Sequence, residues 1–186
     1  MTPGEYLDLE RKSEIRSEYL AGHMFAMSGA NWRHGLIAGN LFRELSSQLR
    51  GRDCVAQAND LRVKVSPTGM YTYPDIVAVC GEARFEDGHT DTLVNPTVIV
   101  EVLSKSTEAY DRGEKFAHYR RLETLREYVL VAQDKTRVEH YRREGEEWIL
   151  SEVSGPDATL HLGSIDCHIG IAAIYEKVDF ESRREA

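Results

Sequence analysis

The sequence predicts a mixed α/β (α+β) fold: a central β-sheet flanked by helices, with an N-terminal helix and β-hairpin in front. Three observations carry this. A 19-residue stretch from Trp32 repeats its apolar residues at helical spacing, several short runs from Leu61 onward have strand patterning, and a second helical stretch lies between two of those runs.

In chain order, Thr2-Pro3-Gly4-Glu5 announces the first helix, with Thr as N-cap, Pro at the first helical position and Glu three residues after the cap; it should end near Glu10. Ser17–Leu20 and His23–Met27 flank Ala21-Gly22 and read as a hairpin. From Trp32 to Arg50, residues Leu36, Ile37, Leu41, Leu45 and Leu49 form one helical face, and Gly51 is a natural stop. Leu61, Val63 and Val65 alternate with Arg62 and Lys64, the mark of a strand with one wet face. After the turn Ser66-Pro67-Thr68-Gly69, strands are predicted over Tyr71–Cys80 and Thr97–Leu103, and a helix over Glu108–Leu122. Strand-like runs at Tyr128–Ala132, Arg137–Tyr141 and Trp148–Val153 follow, with turns at Asp134-Lys135 and Glu144-Gly145. Ile169–Tyr175 reads as a short helix and the final DFESRREA as a frayed end.

With 186 residues, no repeat and no linker, residues 1–186 are expected to form one domain. The 41% hydrophobic and 29% charged content argue against disorder. Three cysteines, odd in number and without a CxxC, exclude a disulfide framework and offer no zinc spacing; read as free, buried thiols, they point to a cytoplasmic chain. The N-terminus lacks the apolar run of a signal peptide, and no segment approaches a membrane span. The net charge of −8 weighs against a nucleic-acid partner, because phosphate neutralisation by Lys and Arg supplies much of such affinity. Clustered cations or bound divalent metal can still offset it.

Two carboxylates stand out by position. Glu101 lies inside the apolar run Thr97–Leu103, and Asp75 stands at the beginning of a second run, Tyr73–Cys80. A carboxylate in low dielectric persists only when paired, protonated or bound to metal. Alternation puts Asp75 on a face with Val77 and Val79, and Glu101 with Ile99 and Leu103. If the strands are neighbours in register, the acids converge on a hard-oxygen site suited to Mg²⁺ or Mn²⁺. Acids that end strands in solvent, or that pair with arginine, give the same pattern, so both readings stay open here. Asp111, Lys115 and Tyr119, spaced four apart, share one helix face.

The series Glu18-Tyr19-Leu20-Ala21-Gly22, Tyr73-Pro74-Asp75-Ile76-Val77 and Val100-Glu101-Val102-Leu103-Ser104-Lys105-Ser106-Thr107 resembles the Uma-two family, as does Asp111 to Lys115 to Tyr119 followed by Glu127–Val131. That family is grouped with restriction endonucleases of PD-(D/E)XK type, and the resemblance spans roughly residues 2–150. It implies a restriction-endonuclease-like fold and a Mg²⁺- or Mn²⁺-dependent nuclease acting on nucleic acid, with DNA as the first choice. Asp75 and Glu101 are then the metal-binding acids and Glu18 a third acid at the cleft. The superfamily's usual lysine position holds Leu103, so the resemblance assigns Lys115 in its place, with Lys105 the weaker candidate. A restriction role also suggests a homodimer, since cutting both strands takes two sites. Two other readings stay open: a non-catalytic member that binds nucleic acid or protein, and a hydrolase of smaller phosphoesters.

Of the remaining residues, His34 opens a helix, where substrate contact and a functionless helix-end histidine are equally open. His118, His140, His161 and His168 show no ligand spacing. Trp32 and Trp148 read as packing residues, and Arg120-Arg121, Arg126 and Arg142-Arg143 as solvated arginines.

Overall fold

The structure is a computed structural model that describes residues 1–27, 29–58 and 60–181; part of the predicted frayed end, from 182 on, lies outside the described residues. Helix α1 (Pro3–Glu10) starts at a reciprocal cap: the Thr2 hydroxyl accepts the Glu5 amide and the Glu5 carboxylate accepts the Thr2 nitrogen. Strands β1 (Ser17–Leu20) and β2 (His23–Ala26) form the expected hairpin. Ala21 and Gly22 both take positive φ, 49° and 89°, as a two-residue hairpin turn demands. Helix α2 (Trp32–Gln48) is capped by Asn31, whose side chain accepts the His34 amide, and it buries Ile37, Ala38, Leu41 and Leu45 along one face.

Five strands follow: β3 (Cys54–Ala58), β4 (Arg62–Val65), β5 (Met70–Thr72), β6 (Ile76–Cys80) and β7 (Thr92–Leu93). Next come β8 (Val98–Leu103), β9 (Glu127–Ala132), β10 (Arg137–Glu144) and β11 (Glu147–Ser154). The connection from β8 to β9 holds α3 (Glu108–Tyr110), a π-helical turn (Asp111–Lys115) and α4 (Phe116–Tyr119). A hairpin of β12 (Thr159–Leu162) and β13 (Cys167–Gly170) precedes α5 (Ile171–Ile174). The larger sheet runs β11-β10-β9-β8-β6-β3, with β8 and β9 parallel and the other pairs antiparallel; the smaller runs β2-β1-β5-β4-β7. This mixed α+β architecture, sheets flanked by helices, is the class predicted.

Side-chain alternation along β8 divides the core. Val98, Val100 and Val102 pack with α2, α5 and the β12–β13 hairpin. Ile99 and Leu103 face the other way, toward Phe116, Tyr119 and residues of the smaller sheet. β8 and β9 are buried along their whole length, as parallel neighbours covered on both faces should be.

Several local expectations are corrected. The run Tyr71–Cys80 is two strands in two sheets, because Pro74 has no N–H for the ladder and breaks it before Asp75. The predicted helix Glu108–Leu122 is interrupted by the π-turn and ends at Tyr119. Ile169 and Gly170 belong to β13, which leaves α5 a single turn. β3, β7 and β12 were not anticipated. The cysteine reading is also overturned: Cys54 and Cys80, directly opposite one another on β3 and β6, form a disulfide, and Cys167 alone is free. The two cysteines are 26 residues apart in sequence, and the pairing of edge strand β3 with β6 brings them together.

One polar network is buried at the smaller sheet. The Arg62 guanidinium, 3% exposed, donates to Tyr73, Thr92 and Asp91 at 2.8, 2.9 and 3.0 Å. Arg11, just beyond α1, reaches the same Asp91 at 2.8 Å, and Tyr73 donates to Glu10 of α1. Among the described residues no helix is long and apolar enough to cross a membrane.

Candidate active site

Glu101 sits on the β8 face that looks away from α2, where Ile99 and Leu103 meet Tyr119 and the smaller sheet. It is 4% exposed. β6 pairs antiparallel with β8, Ile76 opposite Val100, so continuing the register by one residue sets Asp75 opposite Glu101. The Asp75 carboxylate closes that end of the ladder, accepting the Val102 amide at 2.7 Å. His34, on the first turn of α2, brings Nε2 to 3.2 Å from the same Asp75 oxygen.

Lys115 comes from the π-turn. Its ammonium, buried at 5% exposure, lies 2.9 Å from Glu101 Oε1, 3.1 Å from Glu18 Oε1 and 3.6 Å from Asp111 Oδ1. π-Helical turns recur at functional sites, and this one places Asp111 and Lys115 both inward. The Glu18 carboxylate arrives from β1 and is held by three groups: the Thr72 hydroxyl of β5, the Tyr110 hydroxyl and Lys115. Tyr119 donates to Glu101 at 2.9 Å and lies 3.3 Å from the Thr72 hydroxyl. Lys105 is exposed and outside this group.

Charge counting explains the electrostatics. Glu101, Glu18 and Asp111 surround one buried ammonium, and Asp75 stands beside them with His34 as its partner. Burial raises the Glu101 carboxyl well above the usual carboxylate range; Lys115 opposes this, while Asp111 and Asp75 reinforce it. Burial likewise raises Asp111. For Lys115, burial alone would lower the ammonium, but Glu101, Glu18 and Asp111 outweigh it and hold the pKa well above the ordinary value. His34 follows the same logic: burial disfavours its charge, and Asp75 more than compensates. Around Lys115 the cluster holds three carboxyl groups for one ammonium, and burial favours the neutral form of Glu101 and Asp111.

Of the sequence-predicted site residues, the structure gathers Glu18, Glu101 and Lys115 in direct contact, with Asp75 on the adjoining strand position. The three acids expected to bind metal do not bring their oxygens together as a set. Among the described residues the one group of three His, Cys, Asp or Glu side chains with ligand atoms within 4.8 Å of one another lies elsewhere. Lys115 occupies the space between Glu18 and Glu101.

Three contributors went unassigned in the sequence. Thr72 and Tyr110 hold Glu18, and Tyr119 joins Glu101 to Thr72; only the shared face of Asp111, Lys115 and Tyr119 signalled any of this. The two tryptophans part ways. Trp148 packs edge-on to Phe116 as expected, but Trp32 is 86% exposed, which corrects the packing reading.

A family profile described as "Putative restriction endonuclease", Uma2, matches residues 3–166. The chain belongs to the Uma2 family. Two proteins of a Synechocystis strain are similar along nearly their full length. Sll1609 is 34% identical over 161 residues, covering 86% of this chain and 91% of that protein; slr1290 is 32% identical over 181 residues, covering 97% and 94%. Among solved structures, one from Anabaena variabilis, described as "a putative nuclease belonging to DUF820", superposes with a TM-score of 0.77 at 22% identity, covering 94% of this chain and 97% of that one. The likeness shows the fold, which is restriction-endonuclease-like. Nucleases of this fold generally use divalent metal ions, and the Uma2 cleft offers the donor chemistry for one. Asp75, Glu101 and Asp111 are hard carboxylate oxygen donors, the kind such an ion takes.

Proposed function

We propose that this protein is a divalent-metal-dependent endonuclease that hydrolyses phosphodiester bonds in nucleic acid, DNA in the first place. The observation that carries the reading is the buried contact of Lys115 with Glu101 beside Asp75. A structural ion pair needs one acid for one base; here Glu101, Glu18 and Asp111 all meet one ammonium, which suits a site that takes up a further cation.

Asp75 and Glu101 would hold the ion, Mg²⁺ or Mn²⁺ by their oxygen chemistry, and Glu18, its oxygens already engaged, would hold Lys115 rather than the ion. When bound, such an ion lowers the pKa of a ligated water and polarises the scissile phosphate. Lys115 supplies the positive charge that faces the developing charge on the phosphate oxygens. Tyr119 and Thr72 fix Glu101 and Glu18, so the ammonium is positioned before substrate arrives. His34 holds the Asp75 carboxylate in place. Cutting both strands takes two such sites, which a homodimer would provide.

The test is incubation of purified protein with plasmid, with and without Mg²⁺ or Mn²⁺, beside Asp75→Asn and Lys115→Met. Metal-dependent nicking by wild type and its loss in both variants is the expected result. Binding of DNA without cleavage under any metal would leave a non-catalytic binder. Turnover of a small phosphodiester but not plasmid would move the substrate to smaller phosphoesters.

A further inference from the structure

We propose that the β12–β13 hairpin carries a second, chemically different metal site, formed by His161, His168 and Asp166, for a borderline transition-metal ion such as Zn²⁺. His161 and His168 are directly opposed across the antiparallel pair. Their neighbours Leu160, Leu162, Cys167 and Ile169 are buried, so alternation turns both imidazoles to the outer face. The rings stack with centroids 4.2 Å apart and planes 11° from parallel. Asp166, in the turn, sets Oδ1 3.7 Å from His168 Nε2. One ligand atom from each of the three lies within 4.8 Å of the others.

The surroundings orient these groups. Gln48 of α2 clamps the His168 backbone twice, accepting its amide and donating to its carbonyl, both at 2.9 Å. Arg52 donates to the Asp166 carbonyl at 3.0 Å and approaches Oδ2 at 3.5 Å, which leaves Oδ1 on the histidine side. These contacts hold the backbone that carries His168 and Asp166 in place beside α2. Tetrahedral zinc with bonds of about 2.0–2.1 Å needs its nitrogens about 3.3 Å apart. The ligand atoms start within 4.8 Å of one another, and both rings are exposed. Two imidazoles and a carboxylate favour Zn²⁺, Ni²⁺ or Cu²⁺ over Mg²⁺, and three protein ligands leave a position for water.

The hairpin packs on the α2 side of the larger sheet, whereas Glu101 faces the opposite side. Occupancy at the hairpin is therefore separable from the acidic cleft. An ion there would cross-link β12 to β13.

The experiment is calorimetric titration of the full chain, free of any polyhistidine tag, with Zn²⁺, and separately with Mg²⁺. Wild type and Asp75→Asn should each bind one Zn²⁺ equivalent at the hairpin. His161→Ala and His168→Ala should each lower that affinity by more than the roughly tenfold typical of losing even an outer partner of a metal ligand. Asp166→Asn should weaken it less. Mg²⁺ binding should be unchanged in the histidine variants. Melting curves in EDTA, identical for wild type and variants, show that the fold is kept. Wild type that binds no Zn²⁺, or histidine variants that bind it as tightly as wild type, would overturn the proposal.

Discussion

The Lys115 ammonium lies 2.9 Å from the Glu101 carboxylate, with both side chains buried and 13 residues of strand end, polar loop and helix between them in sequence. Strand β8 supplies the acid and the π-turn returns the base to it. Tyr119, one turn further on, hydrogen-bonds the same oxygen of Glu101. The pair is thus held from the sheet and from the crossover at once, and the consequences are measurable.

Removing the ammonium should be costly. Lys115→Met leaves Glu101, Glu18 and Asp111 without their shared partner, and breaking a buried pair on one side typically costs about 3–5 kcal/mol. Denaturant unfolding at neutral pH should report a loss of that order. Adding Glu101→Gln to Lys115→Met should recover part of it, because it removes one uncompensated charge. A double variant less stable than Lys115→Met would show that Glu101 is held by packing and not by charge.

The pH dependence of the metal-free protein should have two separable limbs. Burial raises the Glu101 carboxyl, so the folded state binds that proton more tightly than the unfolded chain. Its contribution is fully present below the unfolded carboxylate pKa and is lost as pH rises through the folded value. Arg11, with Arg62, holds Asp91 below the usual range despite partial burial. Its contribution is therefore present above the unfolded pKa and is lost as pH falls. Melting temperature against pH should show Glu101→Gln gaining on wild type as pH increases, and Asp91→Asn losing less than wild type on acidification. Parallel curves for all three proteins would contradict both assignments.

How much of this was legible in the sequence depends on how local each signal is. The α1 capping box, the Ala21-Gly22 turn and the α2 stripe are short-range patterns, and each formed where it was read. Asp75 and Glu101 were visible because a carboxylate in an apolar run conflicts with its surroundings. Glu18 entered only through the family resemblance, and the helix face that Lys115 shares with Asp111 and Tyr119 did not say where it points, since their meeting depends on how β1 and the π-turn pack on β8. His161 and His168 offered no ligand spacing because the spacing that matters is across a hairpin. Leu160-His161-Leu162 and Cys167-His168-Ile169 show the alternation that would have placed them. Cys54 and Cys80 failed for the same reason: a mixed sequence on edge strand β3 hid its neighbour.

That pairing gives a chemical prediction. Without reductant, the denatured protein should titrate with one thiol, Cys167, and after reduction with three. Closing a loop of this length stabilises by about 3–4 kcal/mol on the chain-entropy account. Reductant should lower the melting temperature of wild type and leave Cys80→Ser unaffected. Three thiols in the unreduced denatured protein would exclude the disulfide in solution.

The acidic cleft itself is tested through Asp75. With three carboxylates around one ammonium and Asp75 beside them, Mg²⁺ or Mn²⁺ should relieve repulsion and stabilise the fold by mass action. The gain is about 2.7 kcal/mol at a hundredfold excess over the dissociation constant. Asp75→Asn keeps the side-chain oxygen that accepts the Val102 amide, so the end of the β6–β8 ladder stays closed. What it loses is the charge, and with it the attraction for His34 and for the ion. The variant should therefore fold, match wild type in metal-free stability to within about 1 kcal/mol, as a near-isosteric change with its hydrogen bond kept should, and lose most of the metal-induced rise in melting temperature. Lys115→Met separates charge from ligation: it removes the competing cation, so it should bind Mn²⁺ at least as tightly as wild type while losing cleavage. Calorimetric titration with Mn²⁺ reads the first and plasmid nicking the second. If Asp75→Asn retains the wild-type metal shift, the ion binds elsewhere and the cleft is a structural ion-pair network.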